Sequence, residues 1–495
     1  MRGAHAGLLR LGLAAALTGV ATGAVGAAFR HLLDLADLAR GALIAGARPT
    51  SGAAGLLLAG LIAGAAVLAA RWLVVRFAPL AAGSGIQHVE AVMRGEATSA
   101  PPAVVPVKFA GGLLAIGAGL ALGREGPTVQ MGAALGAIAA GRLDPASPDR
   151  TIVDAAGAGA GLAVAFNAPI GGMVFVFEEL TRRFTPRLVL AVIVAVGAGV
   201  LVMRLLLGDT QAFEVAAVPS QPATLLPLSV VLGLVAGGIG AATNKLIMAL
   251  LALSDRLARI PSLARAAAIG GLIGWVAWFR PDLVGGGDGI AQGILAGGLP
   301  LHQLAVVFLA RFLIGPVSYA AGTPGGLFAP LLAVGAAAGA LFAGGVGVLL
   351  PGIDASPAGF AVVGMAALFT AVVRAPVTGI VLVLEMTGRS DLGLGMIAAS
   401  AAALLVTAGL GSAPIYDSLR QRMLAGMPPP APSGQAGRGP DGIRPRQEDP
   451  GQEERGQEER GQEERGQEER GQEERGQEER GQEERGQEDR GRGDR

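Results

Sequence analysis

The sequence predicts an all-α, polytopic membrane protein made of two inverted-topology repeats, and three observations carry that reading. Of 495 residues, 51% are hydrophobic and 16% charged, with a mean hydropathy of +0.52. Apolar runs near or above the roughly 18 to 20 residues needed to cross a bilayer recur between residues 7 and 411. Three blocks of the first half also return, in the same order, in the second. Asn167-Ala168-Pro169 with Glu178 is echoed 207 positions later by Arg374-Ala375-Pro376 with Glu385. Gly126-Pro127 with Gly132 and Gly136 is echoed 203 positions later by Ala329-Pro330 with Gly335 and Gly339, and Gly83-Ser84-Gly85 more weakly by Gly285-Gly286-Gly287. A duplication of this kind sets interrupted, tilted helices against one another near the bilayer midplane.

Taken in order, residues 7–44 and 51–78 read as two long helices separated by the turn Arg48-Pro49-Thr50-Ser51-Gly52. The first lacks a defined cleavage site and runs on into Arg30, Asp34 and Asp37, so it reads as a retained helix, not a signal peptide. From Gly83 to Gly95 the apolar stretch is too short to span and reads as a half-helix entered from a glycine turn. A run holding Lys108 follows Pro106, and a Gly-rich helix over 152–166 breaks at Asn167-Ala168-Pro169 before a segment ending in Glu178-Glu179. Apolar segments at 187–207 and 224–252 come next. The expected division is a transmembrane domain over 1–426, with repeat one at about 51–208, repeat two at about 224–411 and a terminal helix at about 415–425. Residues 427–495 are rich in Pro, Gly and charge, include seven Gly-Gln-Glu-Glu-Arg units, and lack the apolar residues to bury a core, which predicts disorder.

Residues 451–495 sum to −7, so the zero net charge leaves +7 on residues 1–450. The clusters Arg182, Arg183, Arg187 and Arg420, Arg422 mark cytoplasmic ends under the positive-inside rule, which also places the tail in the cytoplasm. The 79 glycines suit close helix approach in lipid, where small residues replace the missing hydrophobic force. With no cysteine, disulfides and thiolate metal sites are excluded.

The chemistry centres on Gly123-Arg124-Glu125-Gly126-Pro127. An Arg and a Glu between apolar runs are expensive at bilayer depth, which marks them as functional. Pro127 suits the first turn of a helix, and a helix start inside the membrane offers unpaired N–H groups and a positive dipole end to an anion. Glu125 is therefore a built-in anion where a mobile one would bind. The repeat ranks the remaining acids: Glu178 has a counterpart in Glu385 and reads as scaffold, capping a neighbouring helix, whereas Glu179 falls opposite Met386 and Glu125 opposite Phe328. Unpaired acids in membrane helices are candidate proton carriers. An enzyme is not indicated: His5, His31, His88 and His302 are scattered, and no zincin, Walker A or nucleophile-elbow pattern occurs, so no catalytic or metal residue is assigned. His88 reads as an exposed helix residue.

At these motifs, over about residues 10–425, the sequence resembles the CLC family of chloride channels and chloride/proton antiporters, in its prokaryotic antiporter type. Gly83-Ser84-Gly85-Ile86 is similar to the family's first anion motif, Gly123 to Pro127 to its gating motif, Gly326-Leu327-Phe328-Ala329-Pro330 to its third, and Tyr416 in Pro414-Ile415-Tyr416-Asp417 to its central-site tyrosine. The resemblance implies that Ser84, Gly85, Ile86, Leu327, Phe328 and Tyr416 hold a partly dehydrated chloride. It makes Glu125 the external gating acid and Glu179 the internal proton acceptor, which the family's channels replace with an apolar residue. Arg124 and Glu178 are supporting residues, and Glu90 and Lys108 match a buried charged pair whose partners neutralise each other. Gln87 stands where the family's motif has proline, which bears on how the Ser84 turn is held. A homodimer with one pathway per subunit in a bacterial inner membrane is implied, with no cofactor beyond the transported chloride and protons and no nucleic-acid partner. The alternatives are a passive chloride channel of the same fold, a fluoride/proton antiporter, disfavoured by Ser84, and a scaffold acting through its tail.

Overall fold

The structure, a computed structural model, describes residues 2–143, 149–215, 223–297 and 299–426; the charged tail expected from residue 427 lies outside them. Among the described residues the chain is helical, without strands, and eight helices are long and apolar enough to cross a membrane. The sequence opens with α1 (Gly7–Arg48) and α2 (Gly52–Phe77). The helical path runs through most of the expected turn and breaks only at Gly52, at φ 45 and ψ −127, a backbone conformation that needs glycine.

The half-helix α3 (Ile86–Met93) follows, then α4 (Val104–Gly117), α5 (Glu125–Leu143), α6 (Arg150–Phe166) and α7 (Pro169–Phe175), the last continuing into a π-turn over Val176–Leu180. After α8 (Pro186–Leu207) come α9 (Leu226–Arg256), α10 (Ser262–Phe279) and a second half-helix, α11 (Asp288–Leu295). The chain then forms α12 (Leu301–Tyr319), α13 (Phe328–Leu349), α14 (Pro357–Val373), α15 (Pro376–Thr387), α16 (Gly393–Gly409) and α17 (Ile415–Ala425).

The duplication read from the sequence recurs in the backbone. Asn167 and Arg374 end α6 and α14 in the left-handed region, at φ 54 and φ 72, and Pro169 and Pro376 then open α7 and α15. Glu178 accepts hydrogen bonds from the N–H groups of Val377 (3.0 Å) and Thr378 (2.6 Å) at the start of α15, while Glu385 accepts from Ile170 (3.0 Å) and Gly171 (2.6 Å) at the start of α7. Each repeat's carboxylate thus caps the other's broken helix, answering the unpaired donors that a helix start leaves in a water-poor interior. The equivalent helices α5 and α13 meet head to head, their approaches joined by Gly123 N–H to Gly326 O (2.9 Å) and Gly326 N–H to Gly123 O (2.7 Å).

One further pair of equivalents was not recognised in the sequence. Lys108 Nζ donates to Gly83 O (2.7 Å) and Ser84 O (2.9 Å); 203 positions later, Arg311 donates to Gly285 O (2.7 Å) and Gly286 O (2.9 Å). Both cations are buried, and each clamps the glycine turn that opens a half-helix, with Gly85 at φ 90 and Gly287 at φ 109 as the N-caps.

Small residues set the helix spacing. A Cβ added at Gly132 of α5 would run into the Gly157 carbonyl of α6, and one at the equivalent Gly335 of α13 into the Gly364 carbonyl of α14. At Gly141, near the end of α5, an added Cβ meets nothing within 4 Å. Gly132→Ala is expected to destabilise by about 1 to 3 kcal/mol through overpacking, whereas Gly141→Ala should be neutral or stabilise by up to about 1 kcal/mol through helix propensity. Folded protein remaining after graded heating, read by size exclusion, checks the contrast, and equal losses from both changes would refute it.

Candidate functional site

Glu125 is the first residue of α5 and is fully buried. Its carboxylate crosses to the facing helix, where Oε1 accepts hydrogen bonds from the backbone N–H groups of Phe328 (2.6 Å) and Ala329 (3.3 Å). Oε2 has no hydrogen-bonding partner among the described residues. One acid therefore occupies the N-terminus of α13 while belonging to α5, an anion at the positive end of a helix dipole. Ala329 was missed by sequence reasoning because its contribution is a backbone N–H, which leaves no trace in residue type.

Ser84 lies in the glycine turn before α3, packed so closely on Gly126 of α5 that a side chain there would collide with its hydroxyl. Tyr416 opens α17 and meets the Phe328 ring edge-on at 5.7 Å; Phe328 also contacts Phe175 (5.9 Å) and Phe369 (4.7 Å). The Ser84 and Tyr416 hydroxyls lie near each other, both fully buried, and neither has a hydrogen-bond partner among the described residues. Two unsatisfied donors converge there beside the N-terminus of α13, an arrangement suited to holding an anion.

The other expected anion residues divide. Leu327 is the N-cap of α13, and Ile86 is buried at the start of α3. The N–H of Gly85, by contrast, donates to Gln87 Oε1 at 3.0 Å and is committed within the turn. Gln87 thus supplies a hydrogen bond that proline could not make from its side chain.

Glu179 sits in the π-turn, 2% exposed, with Oε2 3.9 Å from Arg182 Nη2. Its neighbour Glu178 faces α15 instead, so two consecutive acids serve different partners. Glu90 of α3 lies beside Glu179, and neither Glu90 oxygen accepts a hydrogen bond. The expected Glu90–Lys108 pair is not formed: Lys108 reaches the Ser84 turn, and the cation nearest Glu90 is Arg420, at 3.9 Å. The glycine turn presents two carbonyl oxygens to the Lys108 ammonium, which is satisfied there. Arg420 also pairs with Asp417 (2.9 Å) and Glu96 (2.5 Å), while Arg182 approaches Asp417 (3.9 Å), so one arginine from each basic cluster meets Asp417 of α17.

His88 is not on the surface. It is 2% exposed, because α3 is enclosed by α5, α6 and α17 and the whole of Ile86–Val92 is buried. Arg124 points away from the carboxylate of Glu125; Nε donates to Ala165 O (3.1 Å), and Nη1 lies 3.5 Å from Asp288 and 3.7 Å from Asp34. It lines a cavity of about 840 Å³ together with Asp37, Arg40 and Asp282.

The voltage gated chloride channel family matches residues 65–408. The chain is 37% identical over 427 residues to the H(+)/Cl(-) exchange transporter ClcA of Cronobacter sakazakii, covering 83% of this chain and 90% of that one. It is 39% identical over 372 residues to ClcA of Vibrio campbellii, covering 74% and 79%. The crystal structure of a slow cyanobacterial Cl-/H+ antiporter superposes with a TM-score of 0.79 at 32% identity, over 84% of this chain and 98% of that one. With its facing helix starts, its duplicated glycine turns and these matches along most of its length, the chain belongs to the voltage gated chloride channel (CLC) family.

Proposed function

We propose that this protein exchanges chloride for protons across a membrane. The observation that carries the reading is the pair of buried, unpartnered hydroxyls of Ser84 and Tyr416 next to a helix N-terminus that the Glu125 carboxylate already occupies. Similarity to proteins named as chloride/proton exchangers supports the same reading. Chloride bound between the hydroxyls would accept hydrogen bonds from both. A second chloride could take the N–H groups of Phe328 and Ala329 only when Glu125 leaves them, and protonation removes the charge that holds the carboxylate there. One acid then links anion occupancy to proton movement. Glu179, buried next to the charged cluster around α17, is the acid that takes protons from the other side, and Arg182 stands at its approach. By the same family logic the protein works as a homodimer with one pathway per subunit, in a bacterial inner membrane.

A passive chloride channel of the same fold is the second reading, and the buried acid at Glu179 favours exchange over it. Purified protein in liposomes, with chloride and pH recorded together, decides the matter: exchange drives protons uphill on a chloride gradient, and a channel does not. Glu125→Ala is expected to leave chloride flux in place while coupled proton flux falls about a hundredfold or more, the scale on which a positioned proton-transfer group acts. Retained coupling would contradict the gating role. Glu179→Val should also spare chloride movement and abolish proton coupling; loss of both fluxes would show that Glu179 is structural.

A further inference from the structure

All three backbone N–H groups of the Ser84 turn are committed inside the protein. Gly83 N–H donates to Thr323 O (3.0 Å), Ser84 N–H to the Tyr319 hydroxyl (3.3 Å) and Gly85 N–H to Gln87 Oε1 (3.0 Å). Two of these acceptors are side chains, so they are set by residue choice and not by the fold. Tyr319, the last residue of α12, is 4% exposed, and Gln87 in the first turn of α3 is 8% exposed. The Gln87 amide also lies against the Tyr319 hydroxyl, which ties the two together. On the acceptor side, Lys108 holds the Gly83 and Ser84 carbonyls. The Ser84 hydroxyl is the one polar group of that residue left without a partner.

Free N–H groups at a helix start bind anions of many shapes. A single fixed O–H is more selective: a halide accepts a one-point donor from any direction, whereas a planar oxyanion such as nitrate gains from several donors meeting its separate oxygens. We infer that Tyr319 and Gln87 are positioning residues that set the anion selectivity of this site. By engaging the Ser84 and Gly85 N–H groups they fix the hydroxyl and withhold the extra donors that an oxyanion would use. The inference rests on the reading of Ser84 as an anion ligand.

The test uses the full-length protein in liposomes and measures chloride and nitrate flux against concentration for the wild type, Tyr319→Phe, Gln87→Ala and the reference variant Ser84→Ala. Tyr319→Phe keeps the ring and removes one oxygen; Gln87→Ala removes the second acceptor, so either variant can decide if the other does not fold. In each, the nitrate half-saturation concentration relative to that of chloride should fall by about three- to tenfold, the equivalent of one hydrogen bond. If Ser84→Ala alters chloride half-saturation while Tyr319→Phe and Gln87→Ala keep the wild-type anion ratio, this inference fails and the Ser84 reading stands. Lower turnover with an unchanged ratio would make both residues merely structural and overturn it. If Ser84→Ala leaves chloride half-saturation unchanged, or the wild type moves neither anion, both readings fall.

Discussion

Two helix starts face each other inside the protein, and neither can leave its N–H groups bare where no water can reach them. The resolution for α13 is the Glu125 carboxylate, contributed by the first residue of the opposing helix and hydrogen bonded to Phe328 and Ala329. Because the acid and the donors belong to different repeats, the bond spans the junction between them. The donors need a negative partner, yet nothing in the backbone requires that partner to be a side chain. In the proposed exchange a mobile anion is that substitute, which would tie the use of the site to the architecture that creates it.

The same demand is met elsewhere in the fold without exchangeable partners. Glu178 and Glu385 cap each other's broken helices, and Lys108 and Arg311 clamp the carbonyls of the two glycine turns. Each of these four charges has a counterpart across the duplication. Glu125 and Glu179 do not, since Phe328 and Met386 stand at the equivalent positions. Symmetric charges hold the frame, and the asymmetric ones sit where the proposed transport would occur. The glycines of α5, α6, α13 and α14 allow this frame to close, since a side chain at Gly132 or Gly339 would strike a neighbouring carbonyl.

The differences from the sequence reading share one physical origin. A charged or polar residue advertises that it needs a partner, but the chain does not reveal which of several nearby groups it meets. Lys108 was expected to meet Glu90, yet it serves two carbonyls in the turn that the positive-φ glycines Gly83 and Gly85 shape. His88, on a helix too short to span, could have lain at a surface; enclosure by three other helices buries it. Arg311 carried a usable signal, its offset of 203 from Lys108, which matches that of the Gly-Pro blocks.

From the sequence alone came the membrane-spanning helical class, the duplication, the half-helices and the acids that break the repeat. These follow from apolar run length, from glycine and proline punctuation and from the offset between blocks, all of which are local or periodic properties of the chain. Tertiary structure alone decided that the Glu125 carboxylate reaches the N-terminus of α13, that the Ser84 and Tyr416 hydroxyls converge, and that Gln87 and Tyr319 take the donors of the Ser84 turn. Those contacts join residues up to hundreds of positions apart, several of them through backbone atoms common to every residue, so residue type cannot encode them and only packing can bring them together.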